Sequence, residues 1–368
     1  MADKRLRVGI LGAARNVPFS VLGPKQANAD LAARLDIVGL ASLEQAEAEK
    51  YAKEWGIPKA YTSFEAMLAD PQVDAVYNVL PTAVRCQWTV KAIQAGKHVL
   101  SETPMCMNAL EAMAAQRAAE DHGKVLLEGT HPTCHPVTKR VREMILEGKI
   151  GALEHIDLDL PIAHSLQGKV VCAKAGALMS LGCHGVAIVR ALVGEDPLVI
   201  NASAHRLKED PEVDEKMSCN LKFPSGVGAH ISCSVSTAGV EQPTIFTISG
   251  SSGTIRVKEW FTGSTKGSNE IQLEQFEECG EHFVERVDNP PSRDTFYYQL
   301  MTFIDEVQDQ ERRQVVGLPW SYQKAKGPHD AVRNMALIDA IYRSANMKPK
   351  VTTAPPPAPY DRIGMSKL

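Results

Sequence analysis

The sequence predicts an α/β Rossmann domain, a doubly wound parallel sheet. It predicts a following α+β domain with an open, mostly antiparallel sheet and helices on one face. Three observations carry this expectation. The first third alternates short apolar runs with helical stretches, as strands buried on both faces and covered by helices require. After about residue 150 strand-like runs follow one another across turn signals, the mark of antiparallel pairing. A chain of 368 residues is too long for one small core and implies two domains, or three.

Arg7 to Leu11 is the first apolar run and ends at Gly12. Asp36 to Ala41 is the second, followed by a helical stretch from Leu43 to Trp55. Ala75 to Leu80 is the third; Trp88 to Gln94 has helical spacing and stops at Gly96. His98 to Leu100 and Val125 to Leu127 complete the parallel set. Leu153 to Leu160 opens the second domain, and a helix is expected over Ala175 to Leu192. Strands are expected at Val199 to Arg206, Met217 to Phe223, Val227 to Val235, Thr244 to Ile248 and Thr254 to Trp260. Ile271 to Phe276 and His282 to Val287 extend the set. Pro224-Ser225-Gly226 and Ser249 to Gly253 read as hairpin turns. Helices at Asp294 to Gln308 and Asp330 to Ser344 close the chain, the second showing three-to-four spacing at Val332, Met335, Ala336, Asp339 and Tyr342. The expected organisation is 1–130 for the Rossmann domain, 131–350 for a second domain, and 351–368 for a proline-rich tail. No internal repeats occur.

A formal charge of −4 gives no electrostatic footprint for nucleic acid or an anionic membrane. No apolar run is long enough to span a bilayer, and the N-terminus lacks the apolar core of a secretory signal. The eight cysteines, Cys86, Cys106, Cys134, Cys172, Cys183, Cys219, Cys233 and Cys279, form no CxxC pair. They read as reduced intracellular thiols, neither a disulfide framework nor a metal site. The chain ends Ser366-Lys367-Leu368, the address read by the peroxisomal import receptor. Ala354 to Pro359 is stiff and extended and would hold that carboxylate clear of the fold. Peroxisomal location, with a eukaryotic source, is therefore expected over the cytoplasm.

Gly12-Ala13-Ala14-Arg15-Asn16-Val17 comes directly after the first strand, where a dinucleotide turn belongs. Gly12 supplies the tight turn and Ala14 lets backbone approach a pyrophosphate; Val17 is a poor match to the third small position. The second strand ends at Ser42, where an acid would hold the ribose hydroxyl of NAD. Serine can donate to a phosphate, and Arg15 can supply a cation. Glu44, close in sequence, opposes this. The balance favours NADP, with NAD as the alternative.

These residues, together with segments further along, resemble the glucose–fructose oxidoreductase/inositol dehydrogenase (Gfo/Idh/MocA) family across almost the whole chain. The segment that carries the resemblance best runs from Leu80-Pro81-Thr82 through Trp88 to Ile93, Ala95-Gly96-Lys97-His98-Val99 and Glu102-Thr103-Pro104. Glu128 to His131, His135-Pro136, Gly176 to His184, Tyr298 to Leu300 and Met335 to Tyr342 add to it. The resemblance implies a nicotinamide-dependent oxidoreductase of a small hydroxyl or carbonyl compound, and a homodimer or higher homo-oligomer. It assigns substrate binding and oligomerisation to the second domain, 131–350. It implies cofactor contacts at Gly12, Ala13, Ala14, Arg15, Asn16, Ser42, Leu80, Pro81 and Glu102.

The resemblance also implies a lysine after Glu102 and an aspartate before the histidine of the substrate-domain helix. Thr103 and Ser180 stand there instead, and Thr82 and Arg85 replace an asparagine and a histidine. The catalytic set implied is His184, Glu102, Thr103 and Ser180, with His184 the titratable group suited to proton exchange near neutrality. His131 and His135 are further cleft candidates, Arg85 is a candidate for an anionic substrate group, and Cys183 is a packing residue. The altered set leaves two alternatives: a lyase, hydrolase or isomerase on the same scaffold, and a non-catalytic dinucleotide-binding sensor.

Overall fold

The computed structural model describes residues 5–161, 175–235, 244–258, 260, 268–276, 282–288, 292–315 and 331–351. The proline-rich tail and Ser366-Lys367-Leu368 lie outside them, as do Cys172 and Cys279. Two compact units are present. The first comprises the described residues of Met1–Gly129, Met301–Gln323 and Lys350–Leu368; the second, those of Thr130–Leu300 and Lys324–Pro349.

The first unit is a six-stranded parallel sheet. Its strands are β1 (Leu6–Leu11), β2 (Leu35–Ala41), β3 (Ala60–Tyr61), β4 (Ala75–Asn78), β5 (His98–Ser101) and β6 (Leu126–Glu128). The spatial order is β3-β2-β1-β4-β5-β6, and every neighbouring pair is parallel. The order reverses between β1 and β4, the switch point at which open α/β sheets hold ligands. Helices α1 (Gly23–Ala27), α2 (Ala29–Ala32), α3 (Gln45–Trp55), α4 (Phe64–Ala69), α5 (Thr82–Gln94) and α6 (Ala109–His122) accompany these strands. The third expected strand is shorter than its apolar run: Val79 and Leu80 leave the ladder and turn into α5. Within the expected 131–350 span, the described residues of Met301–Gln323 group with the first unit. There Arg34 donates to Asp305 at 2.7 Å and to Gln308 at 2.6 Å, holding that helical segment to the end of α2.

The Ala95–His98 motif serves this sheet. Gly96 has φ +80°, a conformation that suits glycine. The Lys97 ammonium donates to the carbonyls of Asp70 and Val73, at 2.8 and 2.7 Å. His98 Nδ1 accepts from the Val125 amide at 3.0 Å, beside the β5–β6 pairing. Burial lowers the His98 pKa to about 3, with repulsion from Lys124 adding to it, so the ring is neutral and able to accept.

The second unit holds α7 (Pro136–Leu146) and an eight-stranded sheet. The strands are β7 (Leu153–Pro161), β8 (Leu198–Arg206), β9 (Asp214–Lys222), β10 (Gly228–Ser234), β11 (Ile245–Gly250), β12 (Gly253–Lys258), β13 (Ser268–Gln275) and β14 (His282–Asp288). Their order is β14-β13-β12-β11-β7-β10-β9-β8. Only β7 and β10 pair in parallel; the other pairs are antiparallel. One face alternates into the core through Ile156, Leu158, Leu160, Ile231, Phe246 and Ile255, each burial contributing roughly 1.5–3 kcal/mol.

Helix α8 (Cys183–Val193) covers that face. Gly185 makes the close approach possible, since a Cβ there would lie 2.9 Å from Leu160 Cδ1 and 3.1 Å from Ile231 Cγ2. The expected single helix over Ala175 to Leu192 is instead a π-helical turn at Leu178–Gly182 running into α8. Helix α9 (Thr295–Val315) has its first turn in this unit, and α10 (Ala331–Ser344) packs against β8 and α8.

Candidate active site

In the first unit the site is built at the end of β1. Gly12 has φ +105°, and a Cβ there would meet Leu80 Cδ2 at 3.1 Å and Val79 Cγ2 at 3.3 Å. Its own amide is bound to the Ala41 carbonyl at 2.8 Å. Among the described residues, the amides of Ala13, Ala14, Arg15 and Asn16 make no hydrogen bond within the chain. A run of free main-chain N–H groups after a left-handed glycine forms a cradle for an anion, which fits a dinucleotide pyrophosphate. The chain then enters a π-helical turn at Pro18–Leu22. Val17, the poor match to the motif, is fully buried there.

Arg15 is exposed and makes no ion pair among the described residues. Ser42 is buried, and its hydroxyl donates to the Glu47 carboxylate. Glu44 was the carboxylate expected near this position; the partner is Glu47, brought round by the first turn of α3.

Glu102 is half-buried and accepts from three groups. Asn16 Nδ2 reaches Oε1 at 3.0 Å, the Tyr77 hydroxyl donates to the same oxygen, and the Thr103 amide reaches Oε2 at 3.3 Å. Burial, with the adjacent Glu102 charge, holds the Tyr77 phenol well above its ordinary pKa and keeps it a donor. Thr103 is half-buried and joined to Pro104 by a cis peptide. Leu80 is buried and Pro81 exposed at the start of α5.

Arg85 is not placed for an anionic substrate. It is 7% exposed and spends its guanidinium on three main-chain carbonyls. These are Leu80 at 2.8 Å, Glu102 at 3.1 Å and Pro104 at 2.5 Å. It is a positioning residue for the Glu102-Thr103-Pro104 segment. Its neighbour Cys86 lies with Cys106 and Glu111 in a buried trio whose potential ligand atoms are within 4.8 Å of one another. Glu111 is taken up in capping α6, accepting from the Met107 amide at 3.1 Å and Asn108 Nδ2 at 3.2 Å. Burial raises the Cys106 thiol well above its ordinary range, so the trio is a packed cluster with a protonated thiol.

In the second unit, three histidines gather around the start of α8. His184 is 8% exposed, and burial lowers its pKa to about 4. His131 packs edge-on to it with ring centroids 5.0 Å apart, and stacks on Phe296 at 4.3 Å. His131 Nδ1 lies 2.8 Å from Thr295 Oγ1. Burial lowers the His131 pKa well below 6.5, and the His184 and His135 charges reinforce this. His135 caps α7 by accepting from the Val137 amide at 3.3 Å, and burial takes its pKa to about 4. Ser180 is half-buried in the π-helical turn. Cys183 is buried in the first turn of α8.

Asp214, which no sequence pattern singled out, sets the entry to that turn. Its carboxylate accepts from the Leu178 amide at 2.7 Å and from the Tyr342 hydroxyl at 2.9 Å. Any Cβ at Gly176, φ +83°, would collide with it.

A Ser–His–Asp constellation, which the sequence spacing did not suggest, forms on the polar face of the large sheet. Ser218 Oγ lies 2.9 Å from His230 Nε2, and His230 Nδ1 lies 3.2 Å from Asp157 Oδ1. These residues sit within paired strands whose amides serve the ladder, so no donor pair is available to hold an oxyanion. The geometry does not support acyl transfer.

Residues 6–130 match the oxidoreductase family's NAD-binding Rossmann domain, and residues 138–256 match the GFO/IDH/MocA C-terminal domain. D-xylose 1-dehydrogenase (NADP(+)) 2 of Haloferax volcanii is 32% identical over 253 residues, covering 66% of this chain and 73% of that protein. The chain belongs to the Gfo/Idh/MocA oxidoreductase family. A second relative is dTDP-3,4-didehydro-2,6-dideoxy-alpha-D-glucose 3-reductase of Actinomadura kijaniata. It is 25% identical over 343 residues, covering 92% of this chain and 96% of that protein. A crystal structure of a 3-ketoreductase from the same organism, with NADP and TDP-benzene, superimposes with a TM-score of 0.78 at 21% identity. The match covers 93% of this chain and 98% of that one, and it shows the shared fold. As a Gfo/Idh/MocA protein, this chain is an NAD(P)-dependent oxidoreductase.

Proposed function

We propose that this oxidoreductase prefers NADP and acts on a hydroxyl or carbonyl of a sugar-like, polyhydroxylated small molecule, with His184 exchanging the substrate proton. The observation that carries the reading is the neutral, buried imidazole of His184 beside His131. A neutral ring offers a lone pair to a substrate hydroxyl and takes its proton as the alcohol is oxidised. The bound nicotinamide supplies the hydride acceptor for that oxidation, and the donor for its reverse. Thr103 and Ser180 do not titrate in this range, so they serve as hydrogen-bond partners for substrate oxygens. Glu102 holds the Asn16 side of the cofactor turn. The amides of Ala13 to Asn16 cradle the pyrophosphate, and Arg15 draws the 2′-phosphate.

The NADP preference rests on Arg15 and on the Haloferax relative, whose name specifies NADP(+). The substrate class rests on that relative and the Actinomadura reductase, both named for sugars. The test pairs calorimetry with a turnover screen over aldoses, ketoses and cyclic polyols, read at the nicotinamide absorbance. NADPH should bind more tightly than NADH. His184→Asn should lower turnover by about 100-fold or more with NADPH affinity unchanged. Full turnover in that variant, or failure to bind either dinucleotide, overturns the reading. Substrate conversion without net cofactor turnover would favour a lyase or hydrolase instead.

The C-terminal Ser366-Lys367-Leu368 supports peroxisomal delivery through the import receptor, and family membership supports a homodimer or higher homo-oligomer. Loss of peroxisomal targeting on deleting the tripeptide tests the first. Light scattering of the purified chain tests the second.

A further inference from the structure

We propose that the second unit carries a binding site for a small phosphate dianion, formed by α7, the C-terminal end of α8 and the start of α10. A cavity of about 400 Å³ opens there, within the range of roughly 300–1,000 Å³ typical of small-molecule sites. Its walls carry four cationic side chains, Lys139, Arg142, Arg190 and Arg333, against two carboxylates, Glu195 and Asp196.

Two carboxylates face four cations across this wall. Asp196 is shared between two guanidinium groups: Arg190 at 2.8 and 2.9 Å, and Arg333 at 2.7 Å. Glu195 accepts from the Ser225 amide at 3.0 Å. Lys139 stands 3.8 Å from Glu143, beyond hydrogen-bond reach. Arg142 gives only Nε within the chain, to the Ala191 carbonyl at 3.1 Å.

That last contact caps α8, and capping explains one cation near a helix C-terminus. It leaves both Arg142 terminal nitrogens without a partner among the described residues. Arg190 is fixed rather than solvated, 4% exposed, and further tied to Asn334. The free terminal nitrogens of Arg142 and the adjacent ammonium of Lys139 match the oxygens of a phosphate, with Arg190, its nitrogens held by Asp196 and Asn334, as the fixed wall behind them. The proton and cofactor chemistry of the active site uses none of these groups.

The experiment measures thermal stability of the full chain at low ionic strength, titrating inorganic phosphate, hexose 6-phosphate and, at matched ionic strength, chloride. Phosphate should raise Tm saturably, as a ligand specific to the native state does. Lys139→Ala and Arg142→Ala each remove a cation from the cavity wall and should raise the half-saturating concentration by about tenfold. Arg15→Ala should leave it unchanged, separating this site from the cofactor turn. Tighter binding of the hexose phosphate, lost in the same variants, supports an organic phosphate as the natural occupant; equal binding supports the free anion. Stabilisation equal in chloride, or dependent on Arg15 and indifferent to Lys139 and Arg142, overturns the proposal.

Discussion

The Ser42 hydroxyl donates its proton to the Glu47 carboxylate at the end of β2. This commits Ser42 as an acceptor toward any further partner and places a negative charge beside the expected 2′ position of the cofactor. A 2′-hydroxyl can donate to such a pair; a 2′-phosphate must displace it and meet Arg15 instead. Glu47→Gln should therefore tighten NADPH binding by about 5–10-fold relative to NADH, a difference of roughly 1 kcal/mol typical of a screened charge. Arg15→Ala should move the ratio the other way. Calorimetric Kd values for both dinucleotides check this, and an unchanged ratio in both variants would place the 2′ position elsewhere.

Gly12 makes a second prediction. At φ +105° a Cβ is strained and also meets Leu80 and Val79. Gly12→Ala should cost about 1–3 kcal/mol of stability and weaken dinucleotide binding by tilting the free amides that come after it. Equilibrium unfolding and NADPH titration measure the two effects. Wild-type values for both would show that the turn carries neither strain nor the cofactor.

Tyr342 supports the second unit's site from a distance. Its hydroxyl binds the same Asp214 carboxylate that holds the Leu178 amide at the entry to the π-helical turn. Tyr342→Phe leaves that buried carboxylate short of one donor, at a cost of about 1–3 kcal/mol. Asp214 is a positioning residue, so kcat should fall with NADPH affinity unchanged. A loss of cofactor affinity equal to the loss in kcat would contradict a role confined to the second unit.

Most strands were legible as strand-like runs with turn residues at their ends; β3 (Ala60–Tyr61), two residues long, was missed because so short a segment carries no apolar run. The Ala95-Gly96-Lys97-His98 motif was legible as a pattern, but its purpose was not. Only the folded chain shows Lys97 binding two carbonyls and His98 accepting from Val125. Arg85 was misread for a related reason: a helix arginine looks solvent-facing until the carbonyls of residues 80, 102 and 104 converge on it. Glu47 and Asp214 were missed because their partners come from register and helix phase. A five-residue separation placed Glu47 on Ser42, and no spacing rule links Asp214 to residue 178 or 342. His184 was singled out only through family position, since a histidine on a helix carries no local signal of its own.

Buried neutral histidines make acid stability testable. His98, His135 and His184 have folded pKa values of about 3, 4 and 4, against roughly 6.5 in an unfolded chain. As pH falls below 6.5 the unfolded state takes up protons that the native state refuses, so stability declines with pH. The decline runs from 6.5 down to about 4 for His135 and His184, and on to about 3 for His98. Each unit of separation corresponds to about 1.4 kcal/mol. The urea midpoint should drop steadily over this window, and less steeply in His135→Gln. A midpoint flat from pH 7 to 4.5 would mean these rings are solvated.

The same depression governs the pH–rate profile. An unperturbed histidine base would lose kcat/KM for alcohol oxidation below about pH 6.5. His184 stays neutral to about pH 4, so the acid limb should shift down toward that value, and any limb near 6.5 should belong to another group. Burial alone depresses His184. His131 packs edge-on at 5.0 Å and is itself held well below 6.5 by burial and by the His184 charge, so it is neutral while His184 titrates. His131→Phe keeps the stacking surface toward Phe296 and the burial of His184. The acid limb should therefore stay near the wild-type position, with kcat at pH 8 little changed. A limb that stays near 6.5 in the wild type and in this variant would remove His184 from the proton step.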